Sequence, residues 1–261
     1  MSFADLGAVG AGALVGGVLG MVGGGGSILA VPLLVYGVGV ASPHVAIGTS
    51  ALAVSLNALS GLVAHARAGN VKWPCATVFS IAGVVGAAIG STVAKAVDGH
   101  KLLALFGLMM IVVGVAMLRT PRRAERPEVR LSPQTVGELM PPLVGMGLGV
   151  GSLSGFFGIG GGFLIVPGLM AATQMPMIAA VGTSLVSVAA FGATTAANYA
   201  LSGLVDWRVA ALFIAGGIAG GFAGVGAGKA LAARKNALRL VFGALVIAVG
   251  VYMSARGLIQ I

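Results

Sequence analysis

Acidic residues are scarce in this chain. Only six occur among 261 positions: Asp5, Asp98, Glu125, Glu128, Glu138 and Asp206. Each stands at a terminus, in a loop or at the end of an apolar stretch. Carboxylates inside a membrane span mark ion pathways and proton relays. Their absence from the span centres disfavours a cation or metal permease, and also a pump built on a buried aspartate. Cysteine is nearly missing as well. The single Cys75 excludes an internal disulfide framework and a multi-cysteine metal site. Charged residues make up 8% of the chain, against about 25% in soluble proteins. With 58% hydrophobic residues and a mean hydropathy of +1.07, the composition suits no soluble fold. The chain reads as an all-α, polytopic integral membrane protein lying in a lipid bilayer.

Other absences narrow the chemistry. There is no Gly-Xaa-Ser-Xaa-Gly elbow, no paired carboxylates and no Cys/His constellation. Gly228-Lys229 lacks the upstream glycine and following Ser/Thr of a phosphate loop. The reading is therefore a non-enzyme with no metal and no cofactor. The net charge of +9 does not imply nucleic acid, because the Lys and Arg residues sit at helix ends and in loops, where topology accounts for them. The stretch from Met1 to Asp5 lacks the basic start of a cleaved signal peptide, so the first apolar stretch is expected to be retained.

Glycine is what the chain has in excess, 45 residues of it. Small-xxx-small spacings such as Gly12/Gly16/Gly20, Gly86/Gly90, Gly147/Gly151/Gly155 and Gly216/Gly220/Gly224/Gly228 suit helices that approach closely in lipid. Two clusters are denser. Gly23-Gly24-Gly25-Gly26-Ser27, running on to Pro32, returns 135 positions later as Gly158-Ile159-Gly160-Gly161-Gly162, running on to Pro167. Glycine disfavours helix by about 1 kcal/mol relative to alanine, so each cluster predicts a broken helix. In lipid such a break survives only where protein or a water-filled cavity satisfies the freed backbone. A matched pair of breaks is the best sequence pointer to a transporter's binding site.

Apolar segments fall near 4–23, 28–40, 44–64, 74–97, 101–118, 138–157, 163–173, 177–200, 207–230 and 237–254. A full span needs about 20 residues; 28–40 and 163–173 are shorter and predict half-helices. The repeat extends past the glycines. Ile47-Gly48-Thr49-Ser50 matches Val181-Gly182-Thr183-Ser184, Val71-Lys72-Trp73 matches Val205-Asp206-Trp207, and Lys95 matches Lys229. Two homologous repeats of about five helical elements follow, 1–118 and 138–261, joined by a basic linker over 119–137. With five elements per half the repeats are inverted. Eleven basic residues then fall on the cytoplasmic side: Arg67, Lys72, the five linker arginines, Lys229, Arg234, Lys235 and Arg239. Four fall outside: Lys95, Lys101, Arg208 and Arg256. That sorting follows the positive-inside rule, with the linker cytoplasmic and both termini periplasmic. Four spans per half would make the repeats parallel and push a basic loop outward, unless the short segments are re-entrant.

The residues at the breaks argue for an anion. A helix N-terminus carries about half a positive charge and several unpaired N–H donors. The sequence places one after each cluster, at Ser27-Ile28 and at Gly162-Phe163. Glycine lets backbone N–H groups approach a ligand with no Cβ in the way, and Gly23, Gly25, Gly26, Gly158, Gly160, Gly161 and Gly162 are the candidates. The hydroxyls of Thr49, Ser50, Thr183 and Ser184 either donate to the anion or cap their helices. Asn57 and Asn198 are costly amides at membrane depth, and either face the pathway or stitch helices together. Tyr199, the counterpart of His65, is expected at the interface as an anchor. If protons drive transport, His44 or His65 is the titrating group.

Gly16-Xaa3-Gly20-Xaa2-Gly23-Xaa-Gly25-Gly26-Xaa5-Pro32, its second copy from Gly151 to Pro167, and the Gly-Thr-Ser that follows in each half resemble the sulfite exporter TauE/SafE family. The resemblance covers nearly the whole chain. It implies a bacterial inner-membrane transporter of small sulfur-containing anions such as sulfite and organosulfonates, mostly outward. The first cluster reads Gly-Gly-Gly-Gly-Ser and the second Gly-Ile-Gly-Gly-Gly, so the two halves of the site differ. The expected function is secondary anion transport by alternating access around paired helix N-termini, with protons as a conceivable coupling ion. An anion channel or uniporter on the same scaffold is the alternative.

Overall fold

The structure, a computed structural model, describes residues 3–22, 24–119, 131, 133–160, 162–231 and 235–259. Most of the linker, together with Gly23 and Gly161, lies outside the described residues. In chain order come α1 (Phe3–Val22), a 3-10 turn (Gly24–Leu29), one α turn, α2 (Ala30–Pro32), and a π turn (Leu33–Val38). Then follow α3 (Pro43–Arg67), α4 (Trp73–Lys95), α5 (Gly99–Arg119), α6 (Val136–Phe157), α7 (Gly162–Thr173), α8 (Met177–Ala200), α9 (Trp207–Leu231) and α10 (Lys235–Ile259). Among the described residues, six stretches are long and apolar enough to cross a membrane: α3, α4, Gly99–Ala116 of α5, α6, α8 and Trp207–Gly224 of α9.

Proline and short polar side chains set the helix starts. Ser42 accepts the Val45 N–H at 3.5 Å, and Pro43 follows it at the head of α3. Asp98 accepts the N–H groups of His100 (2.9 Å) and Lys101 (3.2 Å) at the head of α5. Asp206 accepts that of Val209 (3.0 Å) at the head of α9. α6 stops at Gly158, whose left-handed backbone (φ 65°) ends the helix. The 12 residues of α7 reach about 18 Å at ~1.5 Å per residue, well short of a hydrocarbon core of about 30 Å.

Helix pairing follows the glycine spacings, and the directions are informative. α1 and α9 run parallel. Near their starts Arg208 pairs with Asp5 at 2.7 Å. Farther along, a Cβ on Gly12 would overlap the Phe213 carbonyl, one on Gly16 that of Gly217, and one on Gly224 that of Gly17. α4 and α6 are also parallel, with Gly147 on Phe79, Gly151 on Gly83 and Gly155 on Ala87. By contrast, α3 and α8 are antiparallel: Gly192 lies on Ala51, Ser55 donates to the Ala189 carbonyl at 2.7 Å, and Gly61 lies on Leu185. α5 and α10 are antiparallel too, with Gly107 on Gly250 and Gly114 on Gly243.

Two local expectations change. The first glycine cluster yields no clean helix start at Ser27-Ile28. A 3-10 turn runs through it, and the α turn begins only at Ala30. The side chain-free run winds tightly enough to lie flat on α1, where a Cβ on Gly26 would come within 2.6 Å of the Leu19 nitrogen. Tyr199 is fully buried instead of interfacial. The missing side chain of Gly48 leaves room for its ring, which lies 6.5 Å from that of His44.

Candidate functional site

The two glycine-broken segments meet inside the bundle. The 3-10 turn packs on α1 and on α7, and Ile28, Val31, Phe157, Ile159 and Phe163 share one buried apolar cluster with Ile47 and Tyr199. Gly25, Gly26 and Ser27 lie on the 3-10 turn, with Ser27 fully buried. Across from them, Gly158 and Gly160 form the turn between α6 and α7, with φ values of 65° and 62°. That conformation is strained by about 1–2 kcal/mol for residues with a Cβ. Gly160 faces Val54 of α3 and Val188 of α8, and Gly162 opens α7. The N-terminus of α7 therefore lies in the interior, and α7 packs on the first break.

The hydroxyls divide by role. Ser50 donates to the carbonyls of Ile47 (2.9 Å) and Gly158 (3.2 Å), which ties α3 to the second break. Its counterpart Ser184 donates to Val181 of its own helix (2.8 Å). Thr49 accepts the N–H of Asp206 at 3.0 Å, and Thr183 accepts that of Lys72 at 3.0 Å. Each threonine thus anchors the loop that leads into a helix of the other half. Neither hydroxyl caps its own helix; each accepts an N–H just ahead of a helix distant in the chain, α9 for Thr49 and α4 for Thr183.

The two asparagines are used differently. Asn198 stands away from the breaks, in a polar network at the ends of α4 and α8. Its Oδ1 accepts from Lys95 Nζ at 2.7 Å, and its Nδ2 donates to Ser91 (2.6 Å) and Thr92 (2.9 Å). That is stitching. Asn57 is 6% exposed, and neither end of its amide has a hydrogen-bond partner. It lies one turn along α3 from Val54, the residue that faces Gly160, and presses on Gly217, which itself abuts Gly16 of α1. Ser50 thus binds the second break and Asn57 lies one turn from Val54, which faces that break, while Thr49, Thr183 and Asn198 serve as struts.

Sequence reasoning missed other polar atoms. The hydroxyls of Ser154 and Thr195 are fully buried without partners, and only their depth within apolar runs signals them. His44 Nε2 donates toward the carbonyls of Val97 (3.1 Å) and Ala94 (3.3 Å), holding the end of α4. Among the described residues, the acids occupy helix ends or loops, and Asp5 is neutralised by Arg208.

The profile of the family described as sulfite exporter TauE/SafE matches residues 8–253. A probable membrane transporter protein of Xylella fastidiosa strain Temecula1 is 51% identical over 248 residues, covering 95% of this chain and 94% of that protein. The probable membrane transporter protein YunE of Bacillus subtilis is 31% identical over 239 residues, covering 85% and 86% of the two chains. A probable membrane transporter protein of Methanocaldococcus jannaschii, MJ0441, is 29% identical over 141 residues, about half of each chain. No solved structure matches.

Proposed function

We propose that this chain, which belongs to the sulfite exporter TauE/SafE family, carries small oxyanions of the sulfite and organosulfonate class out across the bacterial inner membrane. The chain is a membrane transporter; the substrate, the direction and the mechanism are the proposal. The observation that carries it is the meeting of the two glycine-broken segments in the interior, with the unpartnered amide of Asn57 one turn along α3 from Val54, which faces Gly160. Backbone N–H groups freed by a break, together with an amide donor, suit a ligand made only of acceptors. Among the described residues the carboxylates stand at helix ends or in loops, which leaves the spans open to negative charge.

The helix directions support an inverted repeat over 1–118 and 138–261. A two-fold axis in the membrane plane reverses each helix it relates, whereas an axis along the membrane normal does not. The matched helices α3 and α8 run antiparallel, as do α5 and α10, while the α1–α9 and α4–α6 pairs exchange helices between halves. Inverted halves around a midplane site are the architecture of alternating access. Export is downhill in the membrane potential, at about 2.3 kcal/mol per charge per 100 mV. The linker is then cytoplasmic and both termini periplasmic. If protons are coupled, His65 is the candidate, because its Nδ1 has no partner while His44 is held by α4.

The test is flux in proteoliposomes, with sulfite and ethanesulfonate as substrates, with and without an imposed pH gradient. Saturable flux of either anion supports the reading, and acceleration by the gradient assigns protons as the coupling ion. Currents that rise linearly with anion concentration would make it a channel. No flux of either anion would overturn the substrate class.

A further inference from the structure

A small cavity lies where the π turn ends, α5 begins and α10 ends. It measures about 240 Å³ and is walled by Val35, Val40, Pro43 and Leu103, with Tyr36, His100 and Arg256 supplying polar groups. Arg256 is exposed and rests on Tyr252. Its Nε donates to the Tyr252 hydroxyl at 3.2 Å, and its guanidinium carbon sits 5.7 Å from the centre of that ring. Tyr252 in turn meets Tyr36 edge to face at 5.2 Å. No carboxylate pairs with Arg256 among the described residues, and its terminal nitrogens carry no hydrogen bond there. The Tyr36 hydroxyl is buried and has no partner.

We propose that this cavity is a peripheral oxyanion site, in which Arg256 and the Tyr36 hydroxyl hold a sulfonate-, sulfite- or phosphate-type group. A guanidinium presents a rigid fork of donors that matches two oxygens of such a group. The phenol supplies a third donor from the buried wall. The other walls are mostly apolar and leave these donors as the groups an anion would meet. The volume lies below that of pockets for drug-sized ligands, about 300–1,000 Å³, and suits a small anion or a single headgroup. The site does not depend on the central transport reading. Two sources carry the same chemistry: a free anion, and the phosphate of a lipid at the membrane surface.

Labelling of Arg256 by phenylglyoxal, followed by peptide mass spectrometry with Arg208 as internal reference, tests this directly. The full chain is used in a maltoside detergent with sulfate, inorganic phosphate or ethanesulfonate added, and in phosphatidylglycerol nanodiscs with no added anion. The expected result is at least threefold slower labelling of Arg256 with one of these oxyanions but not with chloride. Tyr36→Phe, a conservative change, is expected to remove most of that protection. Protection that appears only in nanodiscs and is lost in Tyr36→Phe would support the site and assign it to lipid phosphate. Labelling indifferent to every oxyanion and to lipid would overturn the proposal, as would protection that Tyr36→Phe leaves intact. Asn57→Phe is expected to leave the protection unchanged, which separates this site from the central one.

Discussion

The amide of Asn57 on α3 lies against Gly217 of α9, so closely that a Cβ on Gly217 would overlap Nδ2. Both positions recur 134 residues away as Phe191 and Gly83, and there a ring lies against the glycine instead. Phe191 also stacks on Phe79 at 6.2 Å and is fully buried. The two matched positions thus present one contact in two chemistries, apolar at Phe191–Gly83 and polar at Asn57–Gly217. An unsatisfied buried amide costs about 1–3 kcal/mol, so packing alone favours the ring.

Making the halves alike is therefore a clean experiment. Asn57→Phe is expected to insert normally and to melt at or above the wild-type temperature in detergent. Flux in liposomes is expected to fall at least tenfold. Wild-type flux from this variant would remove Asn57 from the pathway.

Thr49 and Thr183 call for the opposite outcome. Each holds a loop of the other half through one backbone N–H. Thr49→Val or Thr183→Val leaves that N–H without its acceptor, a loss of order 1 kcal/mol. Thermal melting of the purified variants should show a lowered midpoint, with KM for the anion unchanged. A raised KM at unchanged stability would return these hydroxyls to the substrate.

The glycine breaks should tolerate no side chain. A Cβ on Gly160 would lie 2.8 Å from Val54 Cγ1, on a backbone with φ 62°. Gly160→Leu and Gly25→Leu are expected to abolish flux while the protein still reaches the membrane. Gly145→Leu is the control, since nothing lies within 4 Å of a Cβ there, and it should transport normally. Equal flux from all three would refute the central site.

Asp98 caps α5 from outside the spans. The N–H of Lys101, then that of His100, hold its carboxyl below its usual pKa. A depressed folded-state pKa adds stability that is present above the unfolded carboxylate pKa and lost as pH falls through the folded value. Asp98→Ala should therefore lower the melting midpoint at pH 7, and its difference from wild type should vanish under strongly acidic conditions. The contribution is modest because the group is exposed.

Much of this fold can be read from the sequence because its signals are local. Glycine and proline runs set the bounds of α7 and the end of α6, and apolar length separates full spans from short ones. The site was legible as residue types but less so as roles. Asn198 is stitched to Lys95, 103 positions away, and no local pattern reports that bond. Tyr199 has the look of an interfacial anchor, but its ring fits only because Gly48, on a different helix, lacks a side chain. The threonines signal capping, yet the N–H groups they accept belong to loops 157 and 111 residues away. The 3-10 winding through the first glycine cluster escaped because a glycine run has no preferred helix type; contact with α1 decides it.

The central claim is a single anion site between the two breaks, open to each side in turn. Asn57→Cys in a Cys75→Ser background, labelled with a membrane-impermeant sulfonate thiol reagent from each side of oriented vesicles, tests it most directly. The account predicts labelling from both sides and protection from both by ethanesulfonate. A cysteine that labels from neither side, or labels equally with and without the anion, would contradict it.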